Sequence, residues 1–173
     1  YPMEDRVKVT AIVGNANVAK ITVRSLPDRP GIAATLFEPL ATVGINVDTI
    51  VQNTGAHNTS VERTTDISFT VSRTDLEKAL AEVRQVLPEI GGAEVLSDAM
   101  LASVSVVGSG MQNTPGYASR MFRILADGNV NIDMITTSEI RISCIVHKDQ
   151  VDQAVRLLHR GFQLDQEDLE PDE

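Results

Sequence analysis

Apolar residues recur at helical spacing in two stretches of the chain, Ile32, Ala33, Leu36, Phe37, Leu40 and Ala41 and then Tyr117, Ala118, Met121, Phe122, Leu125 and Ala126. Positions i, i+4 and i+8 with their neighbours form one apolar face, which predicts two amphipathic helices. On either side of each helix the period changes to two. In AKITVRSL, Ile21 and Val23 alternate with Lys20, Thr22 and Arg24; in LASVSVVG, Ala102, Val104 and Val106 alternate with Ser103 and Ser105. Alternation of this kind predicts strands with one buried face. After the helices, INVDTIVQN and VNIDMITTS read as second strands, each entered through a turn containing a glycine, Gly44 or Gly128. TDISFTVS and IRISCIVH read as third strands, with Ile67, Phe69 and Val71 alternating in one and Ile142, Cys144 and Val146 in the other.

The two halves are copies. PGIAATLFEPLATVGINVDTI, from Pro30, aligns without a gap on PGYASRMFRILADGNVNIDMI, from Pro115, at an offset of 85 with 9 of 21 positions identical. The third strands align at an offset of 75, so the first copy carries ten extra residues (85 − 75) within TGAHNTSVERT, a loop rich in Gly, Asn and Thr. Each copy then has a second helix. Thr74 and Glu77 have capping-box spacing ahead of Leu76, Ala79, Leu80 and Val83, and Asp149 stands where it can cap the helix bearing Val151, Ala154, Val155 and Leu158. Pro30 and Pro115 suit the start of a helix, whereas Pro39 is expected to kink or shorten the first one.

The first copy thus reads β-α-β-β-α, and GAEVLSD supplies a last strand to complete a ferredoxin-like βαββαβ unit. The second copy has no such strand, while RVKVTAIV at the start of the chain is a strand without a partner, with Val7, Val9, Ala11 and Val13 on one face. An unpaired strand is unstable and an open sheet position is an aggregation-prone edge. The expected fold is therefore α+β: two ferredoxin-like modules, the first inserted within the second, whose sheet the N-terminal strand completes. The expected boundaries are 18–99 for the first module, 5–14 plus 100–164 for the second, and an acidic disordered tail at 165–173.

Composition narrows the function. The 173 residues carry a formal charge of −9 with 3% aromatics, which supplies neither a phosphate-neutralising surface nor stacking platforms, so nucleic acid is not an expected partner. No apolar run reaches the ~18 residues of a membrane span. One cysteine rules out an internal disulfide framework, and a cytoplasmic protein is expected, for which the sequon at Asn58 has no meaning. Tyr1 and Pro2 precede Met3 and read as a remnant. His57, His147 and His159 are scattered, Cys144 falls on a buried strand face, and GSGMQN has Asn113 where a dinucleotide fingerprint needs its third glycine. No metal, cofactor or catalytic constellation is expected.

What recurs is a strand-loop-helix corner, RSLPDRPGIA in the first copy and MQNTPGYA in the second. The N–H groups of Gly31, Ile32 and Ala33 can receive a carboxylate and Asp28 an ammonium, which suits the zwitterion of a free amino acid. A Pro-Gly turn with Asp28 capping the helix accounts for either corner alone. Asn46, Gln52 and Asn53 add polar side chains with no core role.

LPDRPGIAATLFEPLATVGINVDTIVQN, TTDISFTV, VSVVGSGM and VNIDMITTSEIRISCIV resemble the regulatory region of aspartokinases over about residues 5 to 164. The DRPG corner marks ACT modules in general; TSEIRIS after NVNIDMI is characteristic of aspartokinases. The resemblance implies tandem ACT modules that bind threonine, lysine or both and inhibit the kinase. It implies the inserted arrangement, a catalytic α chain as partner, and no catalytic activity in this chain. A homodimer, or a heterodimer with the kinase chain, is expected on separate grounds, because a ferredoxin-like unit of about 70 residues buries little core alone and has exposed sheet edges. Some bacteria make the region as a separate β subunit, with Met3 then the expected start. Effector contacts are implied for Asp28, Gly31, Ile32, Ala33, Ile45, Asn46 and Gln52, and for Asn131 and Ile132 of the second module. Asn113 or Thr114 replaces the aspartate at the second corner and weakens an ammonium site there. The rivals are an ACT regulator of another pathway and an acylphosphatase, for which Arg29 is the sole phosphate-loop arginine.

Overall fold

The computed structural model describes residues 8–54, 63–109 and 116–162. The elements run β1 (Lys8–Pro27), α1 (Ile32–Thr42), β2 (Ile50–Thr54), β3 (Thr64–Val71), α2 (Leu76–Ile90), β4 (Glu94–Ser109), α3 (Tyr117–Asp127), β5 (Met134–Thr137), β6 (Arg141–His147) and α4 (Val151–Gly161). They form two units, one of Asn17–Ala99, the other of the segments up to Ala16 and from Met100.

In the Asn17–Ala99 unit the strand order is β2-β3-β1-β4, that of a ferredoxin-like sheet. β1 pairs antiparallel with β3 from Ala19↔Val71 to Pro27↔Thr64, and β2 pairs with β3 from Ile50↔Phe69 to Thr54↔Thr65. The chain entering β4 joins β1 where the Ala93 N–H donates to the Arg24 carbonyl at 2.9 Å. Alternation sends Ile21, Val23, Ile67 and Phe69 to one face, where they pack against Leu36 and Leu40 of α1 and Ala79 and Val83 of α2. Phe37 meets Phe69 edge to face, with ring centroids 5.1 Å apart. Each such buried side chain contributes about 1.5–3 kcal/mol.

The other unit has the order β5-β6-β4-β1. β4 pairs with β6 from Leu101↔His147 to Val107↔Arg141, and the N-terminal segment of β1 takes the place beside β4, where the Thr10 hydroxyl donates to the Val107 carbonyl. The N-terminal strand therefore completes this sheet, and the first module is inserted within the second. Val104, Val106, Cys144 and Val146 face Met121, Leu125, Ala154 and Leu158.

Several sequence expectations need correction. Residues 8–13 of RVKVTAIV belong with AKITVRSL to one strand of 20 residues, and residues 94–98 of GAEVLSD with LASVSVVG to another of 16. The N-terminal face is not Val7, Val9, Ala11 and Val13. Val9 is buried and Ile12 packs on the core, but Val13 is 42% exposed. Position 14 lies against α4, where a Cβ on Gly14 would come within 2.9 Å of Val155; facing it inward turns its neighbour Val13 out. Neither predicted cap forms. α2 and α4 are each entered through a 3₁₀ turn, Arg73–Asp75 and Lys148–Gln150, so the residues before the helices are Asp75 and Gln150, without side-chain caps. Thr74 falls inside the turn, and Asp149 donates its N–H to His147 Nδ1 at 3.2 Å. Pro39 does not shorten α1, which has 11 residues like α3. The left-handed partner of Gly44 (φ 79°) is Asn129 (φ 59°), one residue beyond Gly128. Val7, Pro115, most of the TGAHNTSVERT loop and the 165–173 tail lie outside the described residues.

Candidate functional site

The β1–α1 corner is built from a β-bulge, a Pro-Asp turn and an uncapped helix. Up to Val23↔Ile67 the β1–β3 register is regular; it resumes at Leu26↔Thr65, so Arg24 and Ser25 together stand opposite Asp66. Pro27 closes the ladder against Thr64, the Asp28 N–H donates to the Arg63 carbonyl at 3.0 Å, and the Arg29 N–H turns back onto the Pro27 carbonyl at 3.1 Å. The chain then enters α1 through Gly31 at φ 91°, a left-handed conformation that favours glycine. The first helical bond is Thr35 N–H to the Gly31 carbonyl at 3.0 Å. The N–H groups of the first turn, from Ile32 on, have no intrahelical acceptor, and no side chain caps them. The second corner repeats this: Gly116 is at φ 102°, the Arg120 N–H bonds its carbonyl at 2.9 Å, and no side chain caps α3. Among the described residues, a Cβ at Gly31 or Gly116 would meet nothing within 4 Å, so both glycines are there for backbone conformation and the space beside each is open.

The implied effector residues fall into separate groups. Asp28, Gly31 and Ala33 are exposed at the corner, and Ile32 is buried beneath it in the core. Among the described residues no hydrogen bond or ion pair engages the Asp28 carboxylate, and Asp28 does not cap α1, whose N-cap is Gly31. Gln52 is exposed on the edge strand β2, opposite Ile67, which itself pairs with Val23; two strand spacings put it about 10 Å from β1, toward the corner end of the sheet. Asn53 follows, opposite Asp66. Ile45 and Asn46 lie elsewhere. Ile45 is a core residue whose N–H bonds the Leu40 carbonyl beyond the far end of α1, and Asp48 bonds Thr70 near the opposite end of β3 from Arg63. Eleven helical residues, or seven of strand, separate them from Asp28 by roughly 16–23 Å. Asn131, exposed, and Ile132, packed on the other unit's core, hold the equivalent place after α3. Sequence spacing did not reveal Asp66, whose Oδ1 accepts the Ser25 N–H at 2.9 Å inside the bulge.

Among the described residues no group of His, Cys, Asp or Glu is placed to hold a metal ion, and no helix is long and apolar enough to cross a membrane.

A family model of the ACT domain matches residues 21–87 and 104–162. An aspartate kinase of Stutzerimonas stutzeri is 42% identical over 157 residues, which are 91% of this chain and 37% of that protein. The chain thus spans little more than a third of the curated relatives it matches. Solved chains covered almost whole include regulatory parts of aspartate kinases. The ligand-free regulatory subunit of aspartate kinase from Thermus thermophilus superposes with a TM-score of 0.81 at 38% identity, over 89% of this chain and 98% of that one. A chain from a crystal structure of aspartokinase alpha and beta subunits gives 0.81 at 39% identity, over 90% and 99%.

Proposed function

The chain belongs to the ACT-domain family as the regulatory region of an aspartokinase, and from that premise we propose that it binds threonine, lysine or both and passes the signal to a kinase chain as feedback inhibition. The observation that carries the reading is the β1–α1 corner, where, among the described residues, an uncapped helix N-terminus borders open space beside the carboxylate of Asp28, which no hydrogen bond or ion pair engages. The N–H groups of Gly31, Ile32 and Ala33 receive the effector's carboxylate and Asp28 faces its ammonium. Gln52 reaches the same ligand from β2. Both amino acids carry the zwitterion this clamp reads.

Ile45 and Asn46, like Asn131 and Ile132, are about a helix length from the corner of their own unit. They reach an effector when a corner and a post-helix segment come from modules of two chains, so the regulatory form is a homodimer, joined by the kinase chain in the complete cytoplasmic enzyme. Within each chain the modules are 18–99 and 5–14 plus 100–164. The test is a reconstituted kinase: Asp28→Ala and Gln52→Ala relieve inhibition while leaving the uninhibited rate and the melting temperature of the free chain unchanged. Inhibition that persists undiminished in Asp28→Ala overturns the assignment.

A further inference from the structure

We propose that Asp66 is the positioning residue of this corner: its carboxylate holds the Arg24–Ser25 bulge and thereby sets the path of Asp28 into the N-terminus of α1. The proposal rests on the effector reading of the corner. Ser25 is one of two non-glycine residues with positive φ among the described residues, at 59°, where an L side chain is disfavoured. As the extra residue of the bulge it has no place in the ladder, and its N–H is taken instead by Asp66 Oδ1 at 2.9 Å in a half-buried setting. The other bulge residue is held from the opposite side, since Arg24 donates to Glu94 at 2.9 Å and accepts from the Ala93 N–H. A one-residue change of register turns every following side chain to the other face. Relaxing the bulge therefore re-aims Leu26, Pro27 and Asp28 together, against the fully buried Leu26.

The second repeat supplies an independent observation. By the paired registers Asp66 and Arg141 hold the same place on the third strands, but Arg141 stands opposite the single residue Val107, and the next N–H, that of Gly108, bonds the Ile140 carbonyl at 2.8 Å, so this strand pair carries no extra residue there. Where the bulge is absent, the carboxylate is absent too. The two features go together, as they would if the carboxylate exists to hold the bulge.

The experiment is titration calorimetry on the whole 173-residue chain with threonine and with lysine, paired with melting curves, for wild type, Asp66→Asn, Asp66→Ala and Ser25→Gly/Asp66→Ala. Asparagine keeps an oxygen acceptor and is expected to bind within about twofold of wild type, whereas Asp66→Ala loses about tenfold in affinity at a temperature where it is folded. The double variant recovers most of that loss, and it remains the deciding protein should Asp66→Ala not fold. A lowered melting temperature with unchanged affinity in Asp66→Ala, or a double variant that folds and does not bind, overturns the proposal. A wild type that binds neither amino acid overturns the effector reading itself, and this proposal with it.

Discussion

At the scale of single residues, burial and backbone conformation explain most of what each position does. Cys144 sits on β6 opposite Val104 and Ile135 with no exposed surface, and burial pushes its thiol up from 9.0 to about 12. The folded chain therefore keeps this proton while the unfolded chain releases it above pH 9. Stability is unaffected below that pH and falls between pH 9 and about 12. Melting temperatures are expected to drop more steeply over this range for wild type than for Cys144→Ala, and the native thiol to resist a maleimide at pH 8. Rapid labelling of the native protein contradicts this. The core positions were legible one by one, since Ile21, Val23, Phe69, Val104 and Val146 all follow strict alternation. Asp66 was not, because a polar residue in a strand looks the same whether its carboxylate meets water or a neighbour's N–H.

At the scale of elements, period and punctuation located every helix, and the misreadings have local causes. The segment GNAN at 14–17 looks like a linker, yet the chain stays extended through it, and nothing in its composition distinguishes the two. Thr74 and Glu77 satisfy the capping spacing, but a 3₁₀ turn places Asp75 before α2, as another places Gln150 before α4, and the spacing of residues does not reveal such a turn. Pro39 sits inside α1 where the second copy has Ile124. It deprives the Thr35 carbonyl of its helical donor, at a cost of about 3 kcal/mol relative to Ala in a helix interior, offset by about 1 kcal/mol through its restraint of the unfolded chain. Pro39→Ala is expected to raise the melting temperature by several degrees. A lower melting temperature shows instead that the ring's packing dominates.

At the scale of the whole molecule, duplication explains both the fold and its unusual chain path, since the second βαββαβ unit obtains its last strand from the N-terminus. That much was legible, because an unpaired strand and a missing strand were both visible in the sequence. The grouping of the proposed effector residues was not, because only the paired register shows that Asn46 and Asp28 belong to opposite ends of one unit. Their separation underlies the expected homodimer; light scattering at tens of micromolar should give twice the chain mass of 18.7 kDa, and a monomer with and without effector contradicts the shared site. The central claim is that this chain is a receptor for an amino acid. It is tested most directly by melting the wild type and Asp28→Ala with threonine and with lysine, where a ligand at 100 times its dissociation constant stabilises by about 2.7 kcal/mol. The account predicts that at least one of the two raises the wild-type melting temperature by several degrees and that Asp28→Ala loses most of that shift while melting normally alone; no shift of the wild type with either amino acid at millimolar concentration contradicts it.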